Sequence, residues 1–438
     1  MTPRRGPRPL PLHLLLAGHR AWMAMAAIPS MTSGTGSPAW SGSWPGFAPR
    51  SEAARAERSR ILAALPRNAP LGNAQPGNAQ PGNAGSAGGT DALRAAVWRR
   101  LWEEDAALIR GIAAYRSHPW RRTLDDPPVA WREGPARLLD HGGTGPAVLF
   151  VPSLVNRATV LDLMQGHSMV RWLAGNGGRV MLLDWGWPGA EERGFTLTDW
   201  IAGRLERALV AARDAAGGPV VLAGYCMGGL LTLAAALRRP DLVRGLVLLA
   251  TPWDFHAGGP EDRARAAAAA RILPGLETVL GATGTLPVDW LQALFAGIDP
   301  FGIARKFRAF AKMDPDHPRT AHFVALEDWL NDGVPLPAPV ARECLAGWYG
   351  ENTPARGTWR VAGAAVDPAR WRGPSFVAIP RGDRIVPPDS ARALAARLPD
   401  AAVLEVAAGH IGMAAGMSAE AVLWRPLRDW LSALPPPK

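Results

Sequence analysis

The sequence predicts an α/β fold: a mostly parallel, doubly wound sheet with a helical cap insertion, preceded by a disordered N-terminal extension. Three observations point to it. From Ala147 onward, short apolar runs alternate with helical patterns, the texture of a parallel sheet covered by helices on both faces. One of these runs passes through Gly-x-Cys-x-Gly into a Leu- and Ala-rich helix. The first ninety residues carry Ser/Gly-rich stretches and a short repeat that cannot bury enough apolar surface to order themselves.

At 438 residues, 48% hydrophobic and 20% charged, the chain is long enough for a large core and is neither wholly disordered nor a collagen or coiled-coil rod. The net charge of +10 comes almost entirely from arginine, since Lys306, Lys312 and Lys438 are the only lysines. That charge suits nucleic acid, anionic lipid or phosphate-bearing substrates and selects none of them. With no zinc-finger spacing and no block of five or six consecutive basic residues, nucleic acid is not expected as a partner. Two cysteines, Cys226 and Cys344, are too few for a disulfide framework and read as free thiols of a reducing, cytoplasmic compartment.

Arg4 and Arg5 precede the apolar run Leu14-Leu15-Leu16-Ala17, and Ala24-Met25-Ala26 resembles a cleavage site, so the first thirty residues have the outline of an export signal. Pro11, His13, His19 and Arg20 interrupt the run and weigh against export. No later segment reaches the ~18 apolar residues of a membrane span. Residues 65–90 hold Gln75-Pro76-Gly77-Asn78-Ala79 followed by Gln80-Pro81-Gly82-Asn83-Ala84. Residues 1–90 are therefore read as a low-complexity extension with a short helix near 51–65, and 91–438 as the catalytic domain. A helix over 91–115 is predicted from Leu93, Val97, Leu101, Leu108 and Ile112, with its apolar stripe packed on the following domain or a partner.

Strands are predicted at 147–151, 179–183, 220–223, 245–249, 375–379 and 402–406, with helices at 161–175, 198–216, 227–238 and 389–398. Residues 251–373, rich in Trp, Pro and Ala, read as the cap. In the stretch from Val220 to Gly229, Cys226 stands where a nucleophile elbow usually has serine. Such a turn needs glycines because side chains two residues either side of the nucleophile would strike neighbouring backbone. It presents sulfur at a helix N-terminus, where the positive end of the helix dipole favours thiolate and the Met227 N–H is placed to stabilise an oxyanion. Cys344 lies in a helical stretch with no partner motif and reads as an inert core thiol.

In this chain order the acid and then the histidine follow the nucleophile. Asp383 follows the strand at 375–379, and His410, flanked by glycines, follows the strand at 402–406. One helix and one strand separate them, so a single crossover brings both loops to one sheet edge. His410 is the base for Cys226, and Asp383 fixes its tautomer and stabilises the imidazolium. Asp254 is the rival acid, and Asp184 reads as structural. The second oxyanion donor belongs to the loop after the first core strand, from Leu154 or Val155, with Leu154 chosen. Trp290, Trp329 and Trp348 either line an acyl tunnel or fill the cap core. No residues have metal-ligand spacing, and a metal is not expected.

Several ordered motifs resemble polyhydroxyalkanoate synthases, especially the short, two-component (class III-like) type, from about Gly111 to Leu434. They are Leu154-Val155-Asn156-Arg157, Leu161-Asp162-Leu163, Leu183-Asp184-Trp185-Gly186-Trp187-Pro188, Gly224-Tyr225-Cys226-Met227-Gly228-Gly229, Thr251-Pro252-Trp253-Asp254-Phe255, Asp383-Arg384-Ile385-Val386-Pro387-Pro388 and Gly409-His410-Ile411-Gly412. Met227 and Trp253 depart from the Gln or Val more usual in the short synthases. The resemblance implies an α/β-hydrolase fold that polymerises 3-hydroxyacyl-CoA into polyester and releases CoA, with no cofactor. On this chain it gives Cys226 the growing acyl thioester, makes His410 activate the thiol, and has Asp383 support deprotonation of the incoming 3-hydroxyl. It also implies a second synthase subunit or a homodimer, and a place in the cytoplasm at the surface of polyester granules. Two alternatives use the same scaffold: a polyester depolymerase or thioesterase, and a non-catalytic granule-associated scaffold.

Overall fold

Eight strands form the central sheet of the computed structural model, which describes residues 4–32 and 84–435. In chain order they are β1 (Val129–Glu133), β2 (Ala136–Gly142), β3 (Ala147–Val151), β4 (Arg179–Asp184), β5 (Val220–Tyr225), β6 (Val243–Leu249), β7 (Ser375–Pro380) and β8 (Ala402–Val406). Their spatial order is β1-β2-β4-β3-β5-β6-β7-β8. From β4 to β8 every neighbouring pair is parallel, and β2 joins β4 antiparallel. Strands buried on both faces read as unbroken apolar runs, and all six residues of β5 are buried. This is why the five inner parallel strands, β3 to β7, are readable from composition alone.

The β1–β2 hairpin at the sheet edge is an addition to that reading. So is the structure after β3. Where a helix over 161–175 is predicted, a two-stranded ribbon pairs Asp162–Met164 with His167–Ser168, and the helix runs only over Met169–Gly175. The physical reason is local. Ser168 Oγ accepts the Arg171 N–H at 3.2 Å as an N-cap and donates to buried Asp162 Oδ1 at 2.6 Å, which stops the helix from extending backward. The helix predicted over 198–216 begins instead with a π-helical turn, Asp199–Leu205, before Glu206–Ala216.

The chain divides into two compact units. The larger, residues 1–9, 115–300 and 313–438, holds the sheet and most of the region after β6. Its helices in that region include Pro260–Arg271, Leu273–Thr283, Val288–Ala296 and Pro318–Asn331. Two buried clusters flank the sheet, one built around Leu222, Leu230 and Trp253, the other around Phe150, Val247 and Trp424.

The smaller unit, residues 10–114 and 301–312, contains helices Leu10–Thr32 and Gly302–Phe310 and most of Ala84–Ser117. Its Leu101, Leu108, Ile112 and Phe307 are buried. Arg20 pairs with Glu104 and, at 3.1 Å, with Asp105. The helix Leu10–Thr32 lies inside the extension for which disorder is expected: the leucine run around Leu14 forms a helix whose His13 and Ala17 are buried. The short helix expected near 51–65 falls outside the described residues.

The helix Met227–Arg238 approaches the ends of β3, β5 and β6 closely enough to admit only glycine at three positions. A Cβ on Gly224 would lie 2.5 Å from the Gly229 N, one on Gly228 would lie 2.8 Å from the Pro152 O, and one on Gly229 would lie 2.5 Å from Thr251 Cγ2. Backbone cannot give way as a side-chain tip can, so Gly224→Ala is expected to destabilise by about 1–3 kcal/mol. The check is the denaturant midpoint against Gly218→Ala, whose Cβ meets nothing within 4 Å. Equal midpoints for the two variants would contradict the close approach.

Candidate active site

β5 ends at Tyr225 and the next helix begins at Met227, leaving Cys226 alone in the turn with φ +56° and ψ −127°. A residue with a Cβ adopts positive φ only when neighbouring structure holds it there. Here the Cys226 N–H donates to Leu249 O at 2.8 Å, and its carbonyl accepts the Gly229 N–H at 2.9 Å. The side chain is half-buried at the start of the helix.

Asp383 and His410 come from the loops after β7 and β8. Those loops are laced together, since Arg381 N–H donates to Val406 O and Gly382 N–H to Ala408 O, both at 2.9 Å. Asp383 Oδ1 accepts the N–H groups of Ile385 at 2.8 Å and Val386 at 2.9 Å, which fixes the carboxylate. Its Oδ2 lies 2.6 Å from His410 Nδ1. Cys226 lies near enough to the same ring to act on its charge. Tyr225 OH donates to the His410 carbonyl at 3.2 Å, and the two rings lie 5.2 Å apart.

The electrostatics of the ring follow from these partners. Burial opposes a charged imidazole, but the neighbouring Cys226, the hydrogen bond donated to Asp383 and the Asp383 charge outweigh it, raising the His410 pKa to about 10. The ring is therefore charged at neutral pH, beside sulfur on one side and carboxylate on the other. Tyr349, half-buried, is pushed up first by desolvation and then by the charges of Cys226 and Cys344.

Cys226 and His410 form part of the wall of a cavity of about 90 Å³. The rest of the wall is mainly apolar, with Val160, Phe295, Trp329, Leu330, Ile385 and Ile411 prominent. Phe295 lies on the helix Val288–Ala296, and Trp329 and Leu330 on Pro318–Asn331, so the region after β6 closes over the cysteine. Trp329 Nε1 donates to Arg157 O at 2.8 Å. Of the three tryptophans singled out in the sequence, only Trp329 reaches the cavity. Trp348 is buried against Phe255 and Trp359, and Trp290 is exposed.

The remaining sequence candidates sort by their bonds. Asp254 Oδ1 accepts from His256 N at 2.8 Å and from Asn352 Nδ2 at 2.7 Å, so it holds its own loop. Asp184 pairs with Arg137 at 2.7 Å and Arg157 at 3.4 Å. Cys344 is buried in the core, and burial pushes its thiol well up. In the loop after β3, the Val155 N–H donates to Ser153 Oγ at 3.3 Å, and Leu154 is buried. Among the described residues, no group of three or more His, Cys, Asp or Glu side chains is placed to hold a metal, and no helix is long and apolar enough to cross a membrane. Sequence reasoning missed Tyr225, Gln292 and Phe295. Tyr225 adjoins the nucleophile and was within reach, whereas the other two reach the cavity only through tertiary packing.

A cysteine on a strained strand-to-helix turn, facing a histidine and an aspartate from the last two loops, is an arrangement with known relatives. A family model described as alpha/beta hydrolase fold matches residues 146–414. The chain belongs to the α/β-hydrolase family. Among curated α/β-hydrolase relatives, the poly(3-hydroxyalkanoate) polymerase subunit PhaC of Haloferax mediterranei is 28% identical over 352 residues, covering 76% of this chain and 70% of that one. The protein of the same name from Allochromatium vinosum is 29% identical over 65% of this chain and 80% of its own length. That from Synechocystis is 29% identical over 65% and 77%.

The His410 pKa is a direct test of this electrostatic picture. Cys226→Ala removes one of the partners that raise it, so the ring should titrate at lower pH in the variant, read from histidine ring resonances by NMR. An unchanged titration would show that Cys226 does not act on the ring.

Proposed function

We propose that this α/β-hydrolase is an acyltransferase of the polyhydroxyalkanoate synthase type, moving 3-hydroxyacyl units from CoA thioesters onto a polyester chain through a thioester at Cys226. The observation that carries the reading is Cys226 beside His410 in the wall of one apolar cavity, with His410 hydrogen-bonded to Asp383, in a chain whose relatives are named as polymerases of this polyester.

The roles follow from the protonation states. The Cys226 thiolate attacks the thioester carbonyl, and the oxyanion is met by the N–H of Met227 at the helix start and by that of Leu154, the Val155 N–H being engaged by Ser153. Collapse breaks the carbon–sulfur bond to CoA. The His410 imidazolium gives its proton to the departing thiolate, so CoA leaves as a thiol and the ring is left neutral. That neutral ring takes the proton of the next 3-hydroxyl as its oxygen attacks the Cys226 thioester. Sulfur leaves as thiolate, and the charged pair is restored. Asp383 holds the Nδ1–H tautomer and the positive charge throughout.

Water attacks the same intermediate, so transfer rather than hydrolysis requires a dry site. The apolar wall contributed by Phe295, Trp329 and Leu330 favours transfer. The subunit names of the relatives support a second subunit or a second copy as partner, and a polyester product supports work at the surface of polyester granules.

With 3-hydroxybutyryl-CoA as substrate, the expected outcome is CoA thiol release together with polymer. Cys226→Ala is expected to lower thiol release by roughly 10⁵–10⁶-fold and His410→Ala comparably, because members of such a set act as a unit. Release of CoA with only free 3-hydroxybutyrate as product would assign a hydrolase instead. Undiminished release from Cys226→Ala would remove the cysteine from the chemistry.

A further inference from the structure

Asn156 lines the same cavity as Cys226 and His410, and its Oδ1 is buried without a hydrogen-bond partner in the protein. The other short polar side chains of the wall are engaged. Ser153 Oγ accepts from Val155 N at 3.3 Å, Gln292 Nε2 donates to Leu330 O at 2.9 Å, and Tyr225 OH donates to His410 O at 3.2 Å. The Asn156 backbone is also fixed: it bridges to Gly333, and the neighbouring Val155 carbonyl accepts the Val334 N–H at 3.0 Å. A rigidly held acceptor in an apolar wall is costly unless something donates to it.

We propose that Asn156 Oδ1 accepts the 3-hydroxyl of the acyl unit delivered to Cys226 and thereby selects 3-hydroxyacyl over plain acyl thioesters. This rests on the synthase reading, which it deepens. Within the acyl unit the 3-hydroxyl is the only hydrogen-bond donor: the carbonyl accepts and the carbon chain is apolar. The bound hydroxyl keeps its lone pairs, and Arg157 Nε, a donor in the same wall that also lacks a partner, is of the kind to use one. Asn156 is in this view a specificity-determining residue, and the gain from it appears only with substrates that carry the hydroxyl.

The test compares acylation of the full-length protein by 3-hydroxybutyryl-CoA and by butyryl-CoA, followed by stopped intact-mass measurement. The wild type is expected to prefer the hydroxylated thioester by about 10- to 100-fold, and Asn156→Leu to bring the ratio close to one. A thermal melt reports whether the leucine variant folds, and Asn156→Ala replaces it if it does not. Three results overturn the inference: no preference in the wild type, a preference retained in the variant, or both thioesters slowed equally, which would locate the contact on the CoA arm. Acylation of the wild type by neither thioester would instead strike down the synthase reading on which the inference stands.

Discussion

At Cys226 the backbone sits at φ +56°, ψ −127°, and the rest of the site depends on that turn being held. Three glycines make it sterically feasible, and hydrogen bonds to Leu249 and from Gly229 keep it in place. The strain has a chemical return: the sulfur stands at the end of a central strand and the start of a buried helix, in the wall of the cavity that His410 also lines. There the imidazole stands beside the sulfur, with Asp383 2.6 Å behind the ring. Burial acts against a charged ring, and the partners outweigh it. Such a pair offsets its desolvation only with every member present, so removing one partner leaves the other buried and uncompensated.

The wall above the cysteine completes the design. Phe295, Trp329 and Leu330 come from helices far along the chain from β5, and they turn a strand end that would otherwise face water into an apolar cavity. Low polarity strengthens the electrostatics inside and keeps water from the acyl intermediate. The family scaffold thus supplies the nucleophile turn and the two late loops, while the inserted helices decide what reaches them.

The parallel core was legible because doubly buried strands leave continuous apolar runs, and all six predicted strands lie within observed ones of similar extent. The alignment of Cys226, Asp383 and His410 was legible for a related reason: each lies directly after one of those strands, so topology brings them to one edge. The β1–β2 hairpin was missed because its strands are half-exposed and interrupted by charge, as in Trp131-Arg132-Glu133. The ribbon at 162–168 was missed because the Leu161-Asp162-Leu163 spacing mimics a helix, and only the capping bonds of Ser168 reveal otherwise. The helix Leu10–Thr32 was missed because low complexity farther along the extension dominated its reading. Cavity residues such as Gln292 and Phe295 carry no local signature, since their placement depends on how separate helices pack.

The most direct test of the central claim is peptide mapping of the protein quenched in acid after brief exposure to 3-hydroxybutyryl-CoA. The account predicts a 3-hydroxyacyl adduct on the peptide containing Cys226, labile to hydroxylamine. CoA release with an unmodified Cys226 peptide, or an adduct on any other residue, would contradict it.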